Sequence, residues 1–417
     1  MKQIKGLARQ PEFSRFASVG SDCGQTALGV AVVGTSPRAR VHAVSAQLAG
    51  ARLRAWTDPE RVSGATMLAA RDRYRCPQDL ASDATIDVVH ICTASTTVAR
   101  EWAEVALVAG KHVVYDESSL SDVQDLWELR ILADTAAVTV SVPLVYRYHS
   151  AVLASAEHVA EGGLGEVESF SCSYLYEESV ARSAASPAIA APAMPRAWSL
   201  AVMGAACCDV AEFVIGDEIV RVLARFHQTG HDPGREDAGA LFFETRDGTQ
   251  GTITIGSQSD HDAGGLWLEL DGTGGGVVLS GRHDDQLEVW RETPASHARN
   301  AQPKSRRQRV ERRNGYTDCL TRMLLETYRA IVREEVYSGA ELSDLIHVAL
   351  TADAAFMSAL SREWVAVAAA EDLFGSRSGY GRCRALVRPF SGGRHLTRHT
   401  SGRESSARWW QRVANSV

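Results

Sequence analysis

The amino-acid sequence predicts an α/β chain in two parts: a doubly wound parallel sheet, then an α+β half with a large, mostly antiparallel open sheet. Three observations predict it. Short apolar runs alternate with helical stretches over residues 28–143, the pattern of parallel strands joined by right-handed crossovers. From Tyr146 onward, strand-like segments follow one another, several separated by Gly- or Asp-rich turns. At 417 residues the chain is also too long for one ordinary core.

Residues 1–27 form a polar extension with no clear period. The first strand is the run Leu28–Val33, apolar throughout as suits a strand buried on both faces. A turn with Gly34 and Pro37 leads to a helix through Val41, Val44 and Leu48. Arg52–Thr57 is the second strand and ends at Asp58. Ile86–Cys92, a helix near 99–108, the strand Lys111–Tyr115, a helix from about Asp122 and the strand Ala137–Pro143 complete this part, assigned to residues 28–145. In the second part, residues 146–370, the expected strands are Glu166–Tyr176, Ile219–His227, Ala240–Thr245, Thr249–Ser257, Leu266–Leu270 and Leu287–Trp290. Helices are expected at Met203–Ile215 and in a block from about Thr317 to Val367. An open sheet of this kind leaves a face to cover, so a homo-oligomer is expected.

Composition narrows the function classes. The formal net charge of −7 argues against a nucleic-acid-binding chain as a whole. No run approaches the roughly 18 apolar residues of a membrane span, and no apolar core follows the basic N-terminus, so a cytoplasmic protein is expected. The eight cysteines are scattered apart from Cys207-Cys208 and form no CxxC, so neither disulfides nor a metal are expected. Lys304–Arg313 reads as a solvated basic face. Residues 371–417, rich in Arg, Gly and Ser, read as a disordered appendage.

The strongest local signal for chemistry is the strand–turn–helix at Val30–Ser45. In a Rossmann turn, a pyrophosphate meets a helix N-terminus, whose free N–H groups and dipole favour negative charge. Gly34, Ser36 and Ala39 stand where G-x-G-x-x-G is usual. Ser36 puts a side chain where the backbone approaches phosphate, although its hydroxyl can itself bond one. Asp58 lies where a carboxylate takes the ribose hydroxyls of NAD and repels the extra phosphate of NADP. NAD is therefore the expected cofactor, with NADP disfavoured. The candidate cofactor residues are Gly34, Thr35, Ser36, Pro37, Ala39, Asp58, Cys92, Thr93 and Asp116.

The runs Asp87–Thr93 and Gly110–Ser118, followed by Tyr146-Arg147-Tyr148, Gly163–Val167 and Gly204–Gly216, resemble the glucose–fructose oxidoreductase / inositol dehydrogenase (Gfo/Idh/MocA) family over roughly residues 28–370. The resemblance implies a Rossmann domain joined to an open-sheet domain, and NAD(P)-dependent oxidation or reduction of sugars, cyclitols or related polyols. It also implies a small-molecule partner, for which Arg147 and Trp198 are candidate contacts.

The departures from the family pattern fall on its proton-transfer set. Asp116-Glu117-Ser118 replaces the usual Glu-Lys-Pro, and Val202 and Ala206 stand where the resemblance implies an acid and a histidine. Of that second motif Gly204 and Asp209 remain. Alcohol oxidation needs a base for the hydroxyl proton and favours a nearby cation, which Val202 and Ala206 do not supply. Three readings stay open. Redox chemistry could run on displaced groups: Glu117 and Asp209 first, then Tyr174, Tyr176 or His42. The cleft could serve a lyase, isomerase or cyclase. The chain could be a redox-silent binding or scaffolding protein. Cys207 and Cys208 read either as packed thiols or as an activated nucleophile.

Overall fold

The computed structural model describes residues 28–34, 37–59, 74–93, 95–116, 122–177, 204–227, 238–258, 265–280, 286–291, 304–309 and 315–374. The first sheet has five parallel strands: β1 Gly29–Val33, β2 Arg52–Thr57, β3 Val88–Ile91, β4 His112–Tyr115 and β5 Val140–Ser141, in the order β2-β1-β3-β4-β5. Between them run α1 Pro37–Leu48, the short α2 Pro77–Ala81, α3 Thr96–Val108 and α4 Val123–Ala136. All residues of β1 and β3 are buried, which explains why their sequences are apolar rather than alternating. Ser95 caps α3 by accepting the Val98 N–H, and Asp122 caps α4 by accepting that of Gln124.

The second sheet has nine strands in the order β13-β12-β11-β10-β6-β9-β8-β7-β14. In chain order they are β6 Val167–Glu177, β7 Ile219–His227, β8 Ala238–Thr245, β9 Gln250–Gln258, β10 Gly265–Gly272, β11 Gly275–Ser280, β12 Gln286–Arg291, β13 Lys304–Arg309 and β14 Val365–Ala366. Every neighbouring pair is antiparallel except β6 with β9. The accompanying helices are α5 Ser150–Ala160, α6 Ala205–Ile215, α7 Tyr316–Arg333, α8 Leu342–Ser361 and α9 Ala370–Phe374.

Four local outcomes differ from the sequence expectation. The basic run forms the edge strand β13, with Arg307 opposite Glu288 and Arg309 opposite Gln286. Lys and Arg are common in edge strands, so a charge-rich run at the sheet's edge is compatible with a strand. Gly275–Ser280 is a strand rather than part of a glycine turn, because only Thr273 and Gly274 are needed to reverse the chain. The C-terminal helical block breaks at Glu334, whose left-handed φ of 53° ends α7. Residues 371–374, placed in the tail by sequence, belong to α9, and Phe374 stacks on Trp127 at 5.5 Å.

The core has three parts. One face of the first sheet packs on α3, α4 and the first half of α8 through residues such as Val89, Leu126, Leu345 and Ile346. The other face packs on α1 and α7 through Val30, Val32, Leu320 and Tyr328. The second sheet packs on α5, α6 and the second half of α8. No helix among the described residues is long and apolar enough to cross a membrane.

Candidate functional site

In the order β2-β1-β3, the chain leaves β1 in opposite directions, and ligands of open α/β sheets sit at this switch point beyond the strand C-termini. Gly34 follows β1 there, with φ +125°. Its N–H donates to Thr57 O at 2.9 Å, and its carbonyl accepts the Trp56 indole N–H at 2.7 Å. A Cβ at position 34 would lie 2.2 Å from Cys92 O, so the turn passes directly over the end of β3. Only glycine meets both conditions.

Around this turn the structure gathers the described candidates from four chain segments. Pro37 opens α1, and Ala39, two residues later in the same turn, is buried. Asp58 follows β2, half-buried. Cys92 and Thr93 follow β3; the Thr93 hydroxyl donates to Ser95 O and accepts Ser95 N–H, both at 3.1 Å, which fixes the entry into α3. Asp116 follows β4, fully buried, and its Oδ1 accepts from Arg38 Nη1 at 3.0 Å. Arg38, in the first turn of α1, also lies over the Tyr316 ring at 5.5 Å. Sequence reasoning passed over Arg38 and Trp56. Their positions, one residue before Ala39 and two before Asp58, were the available signal. Thr35, Ser36, Glu117, Trp198 and Val202 lie outside the described residues, as do the side chain of Tyr176 and residues 1–27 and 375–417.

The second group of candidates meets at the junction of the two sheets. Arg147 sits in a 3-10 turn, Val145–Tyr148, that links β5 to α5. Its Nε donates to Asp209 Oδ1 and Oδ2 at 2.9 and 3.1 Å, and its Nη2 reaches Asp344 Oδ1 at 2.9 Å. Burial favours the neutral carboxyl of Asp209 and raises its pKa to about 6 against the opposing pull of Arg147. Burial opposes the Arg147 charge, but Asp209 and Asp344 together more than offset it and move its pKa upward. Arg147 and Asp209, expected separately as a substrate contact and an acid–base group, thus engage each other. Ala206 is buried in the first turn of α6.

Tyr146, beside Arg147, donates its hydroxyl to Tyr174 Oη at 3.1 Å, and the rings meet edge to face. Burial raises the Tyr174 pKa. Cys207 and Cys208 are both 1% exposed. A hydrogen bond with Cys172, then burial, pushes the Cys207 thiol well up; burial does the same to Cys208. These are packed thiols, not activated ones.

Residues 152–278 match the family model of the GFO/IDH/MocA C-terminal domain. No protein of curated function matches the chain. Among solved structures, an oxidoreductase domain protein from Kribbella flavida superposes with a TM-score of 0.68 at 18% identity, covering 82% of this chain and 100% of its own. An NAD-binding oxidoreductase from Klebsiella pneumoniae gives 0.69 at 19% identity, with 82% and 100% covered. A levoglucosan dehydrogenase in complex with NADH and levoglucosan gives 0.66 at 18% identity over the same shares. The chain therefore shares the two-domain fold of these oxidoreductases, and its residues 152–278 match the GFO/IDH/MocA C-terminal domain.

Proposed function

We propose that the protein is an NAD-dependent oxidoreductase acting on a sugar-, cyclitol- or polyol-like small molecule. The observation that carries this reading is the Gly34 turn, whose backbone lies where a Cβ would collide with Cys92 O. A glycine packed that closely on the end of β3, at a switch point and three residues before α1, matches the first glycine of a dinucleotide turn, so the residues present suit a pyrophosphate. NAD supplies a hydride acceptor or donor when bound. Pro37 and Ala39 shape the helix start, Arg38 adds positive charge there, and Asp58 takes the ribose hydroxyls. The likeness to a levoglucosan dehydrogenase that binds NADH supports the substrate class.

The proton step must use a set other than the one implied by the family. Asp209 is committed to Arg147, so its role is to position the 3-10 turn carrying Tyr146. Glu117, next to Asp116, is the first choice for proton transfer; a carboxylate in a dry cleft takes up a proton readily and suits carbonyl reduction. The Tyr146–Tyr174 hydroxyl pair is the second choice, since a phenol held neutral by burial donates rather than accepts.

Titration of the full chain with NADH and NADPH, followed by cofactor fluorescence, tests the reading. NADH should bind more tightly than NADPH, and Asp58→Ala should narrow or reverse that order. Lack of binding at millimolar cofactor would sink the proposal. If NADH binds, a panel of sugar and cyclitol carbonyls should oxidise it, and Glu117→Gln should slow that step more than Tyr174→Phe does.

A further inference from the structure

Beneath the Gly34 turn the cofactor candidates Cys92 and Asp116 continue into a column of polar side chains, His42, His90 and Tyr328, that the dinucleotide reading does not use. Asp116 Oδ2 lies 3.9 Å from His42 Nε2. His42 Nδ1 is 3.1 Å from His90 Nδ1, and His90 Nε2 is 2.8 Å from the Tyr328 hydroxyl. The Cys92 thiol joins at the upper end, so one donor atom each from His42, Cys92 and Asp116 lies within 4.8 Å of the others. All three residues are fully buried, on α1, at the end of β3 and at the end of β4.

We propose that His42 Nε2, Cys92 Sγ and Asp116 Oδ2 form a binding site for one divalent transition-metal ion of the zinc or cobalt class. The first argument is an orphan. His42 Nε2 is buried and has no hydrogen-bond partner, a condition that costs about 1–3 kcal/mol. Neither neutral tautomer removes it. With the proton on Nε2, the nearest carboxylate oxygen, at 3.9 Å, is too far for a hydrogen bond. With the proton on Nδ1, donated to His90, a bare Nε2 lone pair faces the Asp116 carboxylate. A cation placed there satisfies the His42 Nε2 lone pair.

The second argument is the donor set. Neutral imidazole, thiolate and carboxylate together suit zinc and similar borderline ions. Burial keeps the imidazole neutral, with a pKa lowered to about 4; Asp116 opposes that shift and Arg38 reinforces it. A dication with one thiolate and one carboxylate cancels its own charge and leaves in excess only that of Arg38, whose side chain is partly exposed. Metal–donor bonds of about 2.0–2.3 Å place donors roughly 3.5 Å apart in a tetrahedron. The 3.9 Å His42–Asp116 separation is near that value, and the 4.8 Å limit asks for a closure of about 1 Å.

The third argument is outer support. The other imidazole nitrogen of His42 is held by His90, which is held by Tyr328, and the other oxygen of Asp116 is held by Arg38. Partners of this kind orient metal ligands. On binding, the ion replaces the proton of the Cys92 thiol, which leaves to solvent, and the sulfur lone pair forms the new bond. Burial, then the Asp116 charge, holds that proton tightly. Affinity should therefore rise close to tenfold per pH unit, as displacement of one proton requires.

Cobalt(II) and zinc(II) titrations of the chelator-treated full chain test the site independently of any dinucleotide. One equivalent of cobalt should give a near-ultraviolet thiolate charge-transfer band that zinc abolishes. Cys92→Ser should remove the band, and His42→Gln should weaken binding at least tenfold. Cys76→Ser, remote from the cluster in sequence, should change neither. No band at millimolar cobalt, or a band that survives Cys92→Ser, overturns the proposal. If Cys92→Ser does not fold, X-ray absorption of the zinc-loaded wild type decides: one sulfur among nitrogen and oxygen neighbours supports the site, and a shell with no sulfur or several overturns it.

Discussion

Arg147 Nη2 contacts Asp209 Oδ1 and Asp344 Oδ1 together, so a single guanidinium ties the Val145–Tyr148 turn to α6 and to the start of α8. Removing one partner from a buried ion cluster leaves uncompensated charge, a loss of about 3–5 kcal/mol. Arg147→Ala should lower stability by that order at pH 7, measured by urea unfolding. The loss should shrink as pH falls toward about 6 and be flat below it, because Arg147 holds the Asp209 pKa down and the variant takes up that proton at higher pH.

Gly34→Ala should abolish NADH binding at temperatures where the variant is folded. A left-handed φ of +125° and a Cβ 2.2 Å from Cys92 O both oppose any side chain. The strain should also lower stability by about 1–3 kcal/mol. Unchanged cofactor affinity in Gly34→Ala would show that the turn does not hold the dinucleotide.

Asp353 of α8 has a pKa raised to about 7, by burial and then by the neighbouring charge of Asp122. The native state therefore holds a proton that the unfolded chain sheds near pH 4. Stability contributed by this group falls as pH rises from about 4 to 7 and is flat above. Asp353→Asn should stabilise the protein at pH 8 by about 1–2 kcal/mol and have no effect at pH 4. Melting curves across that range measure both limits.

Ser358→Ala should cost about 1–3 kcal/mol. The Ser358 hydroxyl accepts the Ala224 N–H at 2.9 Å and donates to Glu363 O at 2.6 Å, joining α8 to β7 in a buried site. Deletion strands both backbone groups. Faster amide exchange at Ala224 should accompany the drop in melting temperature.

The parallel sheet was legible because strands buried on both faces announce themselves as apolar runs, as in Gly29–Val33 and Val88–Ile91. The turn at Gly34 and the end of β2 before Asp58 were legible because each is a local signal, a glycine after an apolar strand and an acid at a strand end. The Arg147–Asp209 pair was not, since its members are 62 positions apart and meet only when α6 packs on the 3-10 turn. The His42, Cys92 and Asp116 cluster escaped for the same reason, and it overturns the inference from missing CxxC spacing only if the ion binds. Parallel crossovers bring strand ends together whatever their separation in sequence. His90 gave a signal that went unused: a polar residue inside a run buried on both faces needs an internal partner, and it has two.

The first sheet is completed by the last helices. Leu320, Met323 and Tyr328 of α7 cover one face, and Leu345 and Ile346 of α8 cover the other. On a ribosome, some 200 residues separate Ser141 of β5 from the end of α8, an interval of roughly 10–40 s at ordinary elongation rates. During that time the nascent first sheet leaves uncovered the valine surface that the finished protein buries. It must wait for its own C-terminus, and chaperone capture in that interval is a direct consequence of where the chain keeps its closing helices.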